Sequence, residues 1–207
     1  MTNDFQPPAD GARIGDLSAA ERNREPIFDV LMPLFSSARR VLEVGSGDAT
    51  HARHARLRCP HLHWQTSEVP EHLPRLMQAV SAGSTDDLAL PITLDVRDTW
   101  PDTRWDAIYG ANIAHIMTMD AVHALFRGAG EHLQPLGLLC LYGPFIEPGK
   151  PLGDGNRRFD AALQKRGTGL RSLTHLDALA TANQLRRVDC HTMPADNRLL
   201  VWQRSAA

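Results

Sequence analysis

The segment Arg39-Arg40-Val41-Leu42-Glu43-Val44-Gly45-Ser46-Gly47-Asp48-Ala49-Thr50-His51 constrains the fold of this chain more than any other stretch. A short apolar strand runs through a glutamate into two closely spaced glycines and then into a helix starting near Asp48. Gly45 and Gly47 can take backbone angles closed to other residues and let a ligand lie against the main chain, while free N–H groups at the helix start point at the same spot. That is the nucleotide-binding corner of α/β proteins. The dinucleotide fingerprint Gly-x-Gly-x-x-Gly is incomplete, because its third glycine would fall on Thr50. What stands instead is Glu-x-Gly-x-Gly, with Glu43 two residues before the first glycine. A strand-glycine-helix turn that holds no ligand is the plainer alternative.

On either side of this turn the pattern predicts alternating elements. Residues 1–17, rich in Pro, Gly and Asp, read as an irregular arm, and 18–204 as one domain. Ser18-Ala19-Ala20-Glu21 has the spacing of a capping box that opens a helix running to about Phe35, with Pro26 and Pro33 expected to break or kink it. After the glycine turn, 49–58 reads as a helix ended by Cys59-Pro60, 62–67 as a strand, and 73–82 as a helix stopped by Gly83. Strands follow over 92–96 and 105–109. Thr118 can cap a helix over 119–133, with Asp120 in its first turn, where a carboxylate suits the helix dipole. The near-continuous apolar run 136–142 predicts a central strand covered on both faces. The Gly- and Pro-dense stretch 143–155 reads as a loop, followed by helices over 157–165 and 176–182. Strands over 187–193 and 199–203, joined by Pro194-Ala195-Asp196-Asn197, predict an antiparallel hairpin at the sheet edge. The alternation from 40 to 142 calls for a parallel sheet.

The 207 residues suit one doubly wound domain with a full core. A net charge of -2 without a basic run argues against nucleic acid or an anionic membrane as partner and leaves a small molecule. Cys59, Cys140 and Cys190 are widely spaced and lack a C-x-x-C pair, so they make neither a disulfide framework nor a recognisable zinc site, and they point to a reducing compartment. The polar start Met1-Thr2-Asn3-Asp4 has no apolar core behind it, and the longest apolar run, around 138–142, is far below membrane-spanning length. The expectation is a cytoplasmic protein with no membrane partner. His51, His54, His61, His63 and His72 crowd one region, but their spacing matches no closed zinc site.

Glu43, Gly45, Ser46 and Gly47 resemble motif I of class I S-adenosylmethionine (SAM) methyltransferases. The resemblance implies that Glu43, closing the first strand, helps hold the methionine end of SAM. Glu68, closing the second, is placed to accept hydrogen bonds from both ribose hydroxyls, each worth roughly 1.5–3 kcal/mol. Asp95, closing the third, would stand beside the adenine amino group with Val96 as an apolar neighbour. Asn112, after the fourth, would face the methyl group. These positions lie at or just beyond strand carboxyl ends, where ligands of open α/β sheets sit. Each acid also has a plainer use: Glu43 as a helix cap, Glu68 as a solvated loop acid, Asp95 as a turn former.

Longer blocks sharpen the likeness. Ala19-Ala20-Glu21-Arg22-Asn23-Arg24-Glu25-Pro26-Ile27, Trp64-Gln65-Thr66-Ser67-Glu68, Asn112-Ile113-Ala114-His115-Ile116, Leu141-Tyr142-Gly143-Pro144-Phe145, Asn156 with Phe159-Asp160, and Met193-Pro194-Ala195-Asp196-Asn197 are similar to a family of methyltransferase-like proteins of bacteria and animals. That family was long classed as a domain of unknown function, and its animal member is called methyltransferase-like twenty-six. The family usually has Ala where Gly45 stands, Thr-Gly-Gln where Asp48-Ala49-Thr50 stands, and Asp at the position of Glu68. The resemblance implies an α/β, Rossmann-like class I methyltransferase fold: a seven-stranded, mostly parallel sheet with a C-terminal antiparallel hairpin and helices on both faces.

The activity so implied is SAM-dependent, in-line methyl transfer to a small-molecule acceptor. Asn23 and His51 join the candidate SAM contacts. His115, Asn112 and Tyr142 are the candidate catalytic residues. His115 is either a general base, the commonest such group near neutral pH, or a histidine bonded to backbone that shapes the pocket. The helix over 18–35 is either a lid over SAM or a packing element. Trp100 stands near the adenine site or serves packing. Two rivals remain: a SAM-binding sensor or scaffold without catalysis, and an NAD-type oxidoreductase, against which the missing third glycine, Glu43 and the hairpin all count.

Overall fold

The computed structural model describes residues 17–82 and 88–206. The irregular arm, apart from Leu17, and the Gly83 helix stop lie outside the described residues. The first helix, α1 (Ala19–Leu34), opens with the expected capping box: the Ser18 hydroxyl accepts from the Glu21 N–H at 3.2 Å, and the Glu21 carboxylate accepts from the Ser18 N–H at 2.7 Å. Neither proline breaks the helix, which runs continuously through Pro26 and Pro33. Each proline removes one helical N–H, but Ile27, Phe28 and Leu31 between them are fully buried. Burial at about 1.5–3 kcal/mol per side chain together outweighs the missing bonds.

The strands are β1 (Arg40–Val44), β2 (His63–Glu68), β3 (Ile92–Thr93), β4 (Trp105–Ala111), β5 (Leu133–Gly143), β6 (Phe145–Ile146), β7 (Arg171–Ser172), β8 (Leu185–Met193) and β9 (Asn197–Arg204). Seven of them form one sheet in the order β3-β2-β1-β4-β5-β9-β8, and β6 pairs with β7 in a separate ribbon. The pairings from β3 to β5 are parallel, while β9 runs antiparallel to both β5 and β8. The remaining helices are α2 (Thr50–Arg58), α3 (Leu73–Ala82), α4 (Met119–His132), α5 (Asp154–Gln164) and α6 (Leu173–Ala182). Among the described residues, no helix is long and apolar enough to cross a membrane.

Side chains alternate across the sheet and divide the core in two. Val41 packs with Ile27, Phe28 and Leu31 of α1 and with Ala52 of α2; Leu42 and Val44 pack on the other face with Leu125 and Phe126 of α4 and Leu176 of α6. Glu43, between Leu42 and Val44, therefore belongs to the α1 and α2 face.

Several boundaries depart from expectation. β3 ends at Thr93, because the chain turns at once, with the Asp98 N–H donating to the Asp95 carbonyl at 3.0 Å. β5 starts at Leu133, but its register breaks there and resumes only at Leu138, with Leu136 at φ 64°. The stretch 143–155 holds β6 and the start of α5 instead of being loop throughout. The antiparallel hairpin lies at the sheet edge as expected, with β8 outermost and β9 next to β5.

Candidate functional site

From β1 the chain crosses to β2 on one side, and from β4 to β5 on the other, so a crevice opens at the carboxyl ends of these two neighbours. A cleft of about 400 Å³ occupies this point, within the range of small-molecule sites. The glycine turn supplies Gly45 and Gly47, the end of β2 supplies Glu68, Val69 and His72, and the segment after β3 supplies Leu94, Asp95, Val96 and Arg97. The fourth wall is Asn112, Ile113, Ile116, Met117 and Thr118, the connection from β4 to α4.

The turn needs its glycines for different reasons. Both have positive φ, 69° at Gly45 and 58° at Gly47. A Cβ on Gly45 would stand 2.7 Å from Ile113 Cγ2, whereas one on Gly47 would meet nothing within 4 Å. Gly45 permits close packing, and Gly47 leaves open space beside the cleft. The Glu68 carboxylate is fixed at this place: Gly47 N–H donates to Oε2 and Val69 N–H donates to Oε1, both at 3.0 Å. Asp95 is gripped by Arg97 through both carboxylate oxygens, and this hydrogen bonding holds its carboxyl below the usual range. Asn112 sits in the left-handed region at φ 58°, a conformation asparagine tolerates, and its N–H donates to the Tyr142 carbonyl at 2.8 Å.

Glu43, Ser46, His51, Asn23, His115 and Tyr142 are not among the residues lining this cleft. Four of these build a buried polar network behind the glycine turn. His51 Nε2 meets Asn23 Oδ1 at 2.9 Å, and His51 Nδ1 faces the Tyr109 hydroxyl at 3.3 Å and Glu43 Oε1 at 3.6 Å. The other Glu43 oxygen accepts from Trp64 Nε1 at 2.9 Å. Burial and then the Glu43 charge push the Tyr109 phenol far up. Burial also raises the Tyr142 phenol, an effect partly offset by hydrogen bonding to Asn23 and Asn197. Ser46 stitches the turn to β2: its Oγ donates to the Glu43 carbonyl at 3.3 Å and accepts from the Ser67 N–H at 3.1 Å.

His115 is 6% exposed, edge-on to Phe159 with ring centroids 5.2 Å apart. Burial, and then the Arg171 cation, lower its pKa to about 4, so the imidazole is unprotonated at neutral pH. Its Nδ1 and Asn112 Oδ1 converge over Gly143, each 3.6 Å from where a Cβ there would stand. Trp100 is a packing residue: it is buried, stacks on His132, and donates to the Val96 carbonyl at 3.0 Å.

The sequence reading did not single out His72, Arg97, Ile116, Met117 or Thr118 as cleft residues. Two had a readable signal. Arg97 follows Asp95 at the spacing of a local ion pair, and Thr118 caps the helix that begins at the fourth wall.

Solved structures share this architecture. They include the mitomycin 7-O-methyltransferase MmcR, with a TM-score of 0.74 and 19% identity over 83% of this chain and 50% of that one. An O-methyltransferase family 2 protein from Planctomyces limnophilus in complex with apigenin gives 0.75 and 21% over 89% and 58%. Human N-acetylserotonin methyltransferase in complex with SAM gives 0.71 and 12% over 90% and 57%. The chain spans about half the length of these proteins. Its fold is thus the Rossmann-like fold of methyltransferases. Over residues 16–204 it matches the model of a family described as protein of unknown function DUF938, and it belongs to that family.

Proposed function

We propose that the protein binds SAM in the cleft at the ends of β1 and β4 and transfers its methyl group to a small-molecule acceptor. The observation that carries this reading is Glu68. Two main-chain N–H groups fix its carboxylate beside the open face of Gly47, and about two of its four lone-pair directions remain for the vicinal hydroxyls of a ribose. Asp95 and Val96 line the same cleft and offer an acceptor and an apolar surface to a purine. The names of the structural neighbours, methyltransferases among them one solved with SAM, support the same direction.

SAM supplies a methyl group on a sulfonium centre, transferred by in-line displacement. The chain's contribution is alignment and exclusion of water, worth up to roughly 7–11 kcal/mol when geometry is ideal. Asn112, clamped by its main chain to Tyr142, lines the cleft where β4 ends. Its side-chain oxygen also converges with His115 Nδ1 over Gly143. For an acceptor that must lose a proton, His115 is in the right protonation state but is a weak base, and Tyr142 stays a neutral phenol. One observation favours a second reading, a SAM-binding sensor or scaffold without catalysis: His115 and Tyr142, two of the three candidate catalytic residues, do not line the cleft.

Calorimetry with SAM, S-adenosylhomocysteine and NAD tests the assignment. Saturable heat with the first two and none with NAD is expected; NAD binding without SAM binding would overturn it.

A further inference from the structure

Arg171 is a buried cation that no carboxylate contacts among the described residues; the acid that acts on it, without contact, is Asp160 on α5. Arg171 is 9% exposed, and among the described residues it takes part in no ion pair. Its Nε donates to the Ala114 carbonyl at 2.9 Å, and a terminal nitrogen donates to the Met117 carbonyl. Beside it, the Gly169 N–H donates to the His115 carbonyl at 3.2 Å. The chain around β7 is therefore stitched to three carbonyls of one segment, 114–117, and that segment is the fourth wall of the cleft.

A charge left in a dry place without a counter-ion in contact costs free energy, so its retention calls for a compensating use. Bonds from a cation to main-chain carbonyls are stronger than neutral ones, and the planar guanidinium can hold two carbonyls at a fixed separation. The segment it holds has no regular structure of its own between β4 and α4. At one end it begins with Asn112 in the left-handed region; at the other, Thr118 caps α4. Between them, Ile113 packs against Gly45, and Ile116, Met117 and Ile113 all line the cleft.

We propose that Arg171 is the positioning residue of the cleft: braced on the Ala114 and Met117 carbonyls, its guanidinium fixes the wall that SAM and the acceptor share. The proposal rests on the functional reading above for the identity of the ligand, but the bracing stands on the free protein. β7 pairs with β6, so the same residue also ties this wall to the chain that leaves β5 through Gly143.

The bracing has an electrostatic signature. Of the groups around His115, Phe159 on α5, Asn112 and Gly143 carry no charge, and Arg171 on β7 is the cation that acts on it; Asp160 on α5 acts in turn on Arg171. Buried, and with Arg171 beside it, the His115 imidazole resists protonation down to about pH 4.

The test combines NMR titration of His115, amide exchange and SAM calorimetry on wild type, Arg171→Lys and Arg171→Met. Lys keeps the charge but cannot span two carbonyls in a plane. In Arg171→Lys, faster exchange at 113–118, SAM binding weakened about tenfold and a His115 titration still well below that of an ordinary histidine are expected. In Arg171→Met, the His115 titration is expected to move upward as well. Wild-type exchange and SAM affinity in Arg171→Lys would overturn the proposal, and this variant decides the matter if Arg171→Met does not fold. If the wild type binds no SAM, the functional reading fails while exchange and titration still judge the bracing.

Discussion

The Asn23 side chain on α1 meets His51 on α2 at 2.9 Å, so the helix that precedes the glycine turn is fastened to the helix that follows it. Both residues are buried, and Asn23→Ala would leave His51 without this partner. A stability loss of about 1–3 kcal/mol in urea unfolding is expected. Amide exchange then separates two roles for α1: if it acts as a lid, SAM slows exchange at Glu21–Glu25 in the wild type and fails to do so in Asn23→Ala.

Glu68→Ala removes the acceptor of the Gly47 and Val69 N–H groups together with the proposed ribose contact. SAM affinity is expected to fall by roughly 1.5–3 kcal/mol in calorimetry. Glu68→Asp, which keeps the carboxylate but shortens its reach by one methylene, should recover part of that loss. Equal affinities in all three proteins would show that the carboxylate does not touch the ligand.

His115 gives the protein an acid sensitivity of definite sign. Its pKa is about 4 when folded and 6.5 for an ordinary histidine, so the unfolded chain binds a proton that the native state refuses. The associated stability is present above pH 6.5 and is lost as the pH falls toward 4. Urea midpoints measured between pH 7 and 4.5 should fall less in His115→Gln than in the wild type. In turnover on a true substrate, the rate should show no inflection from His115 near pH 6.5.

The Arg198 guanidinium, 4% exposed, is paired with Glu147 at 2.6 Å and so pins the chain after β6 to β9. Glu147→Ala leaves a buried cation unpaired and should cost about 1–3 kcal/mol, a value reduced from that of a fully buried pair because the glutamate is partly exposed. Faster amide exchange across 147–153, with the sheet unchanged, is the expected mark.

The sequence made the frame readable where a local rule and the tertiary structure agree. Ser18 and Glu21, Thr118, and the apolar run through Leu139 to Tyr142 each signal their element by chemistry that needs no distant partner. The proline-bearing helix did not obey its local rule, because the apolar face around Phe28 is decided by the sheet it covers. β6 and β7 were hidden for the same reason: each is two residues long, and only their mutual pairing defines them. In the site, Glu68 could be read from its place at the end of β2, whereas Asp95, expected to close the third strand, lines the cleft from two residues beyond it. Glu43 illustrates what chain order conceals. It ends the same strand as the glycine turn, but the alternation that buries Leu42 and Val44 toward α4 sends Glu43 to the opposite face, where Trp64 and His51 receive it. His115 shows a further limit, since its proton affinity depends on burial and then on Arg171, both set by parts of the chain distant in sequence.

Both free edges of the main sheet are poor templates for adding a strand. On one side β3 is only two residues long, and on the other β8 carries Arg186, Arg187 and Asp189 and loses register between Arg187 and Asp189. Short edges, charges and irregular register are what keep exposed strands from recruiting copies of themselves. Concentrated solutions of this protein should therefore resist the edge-to-edge aggregation to which an open β-sheet is prone.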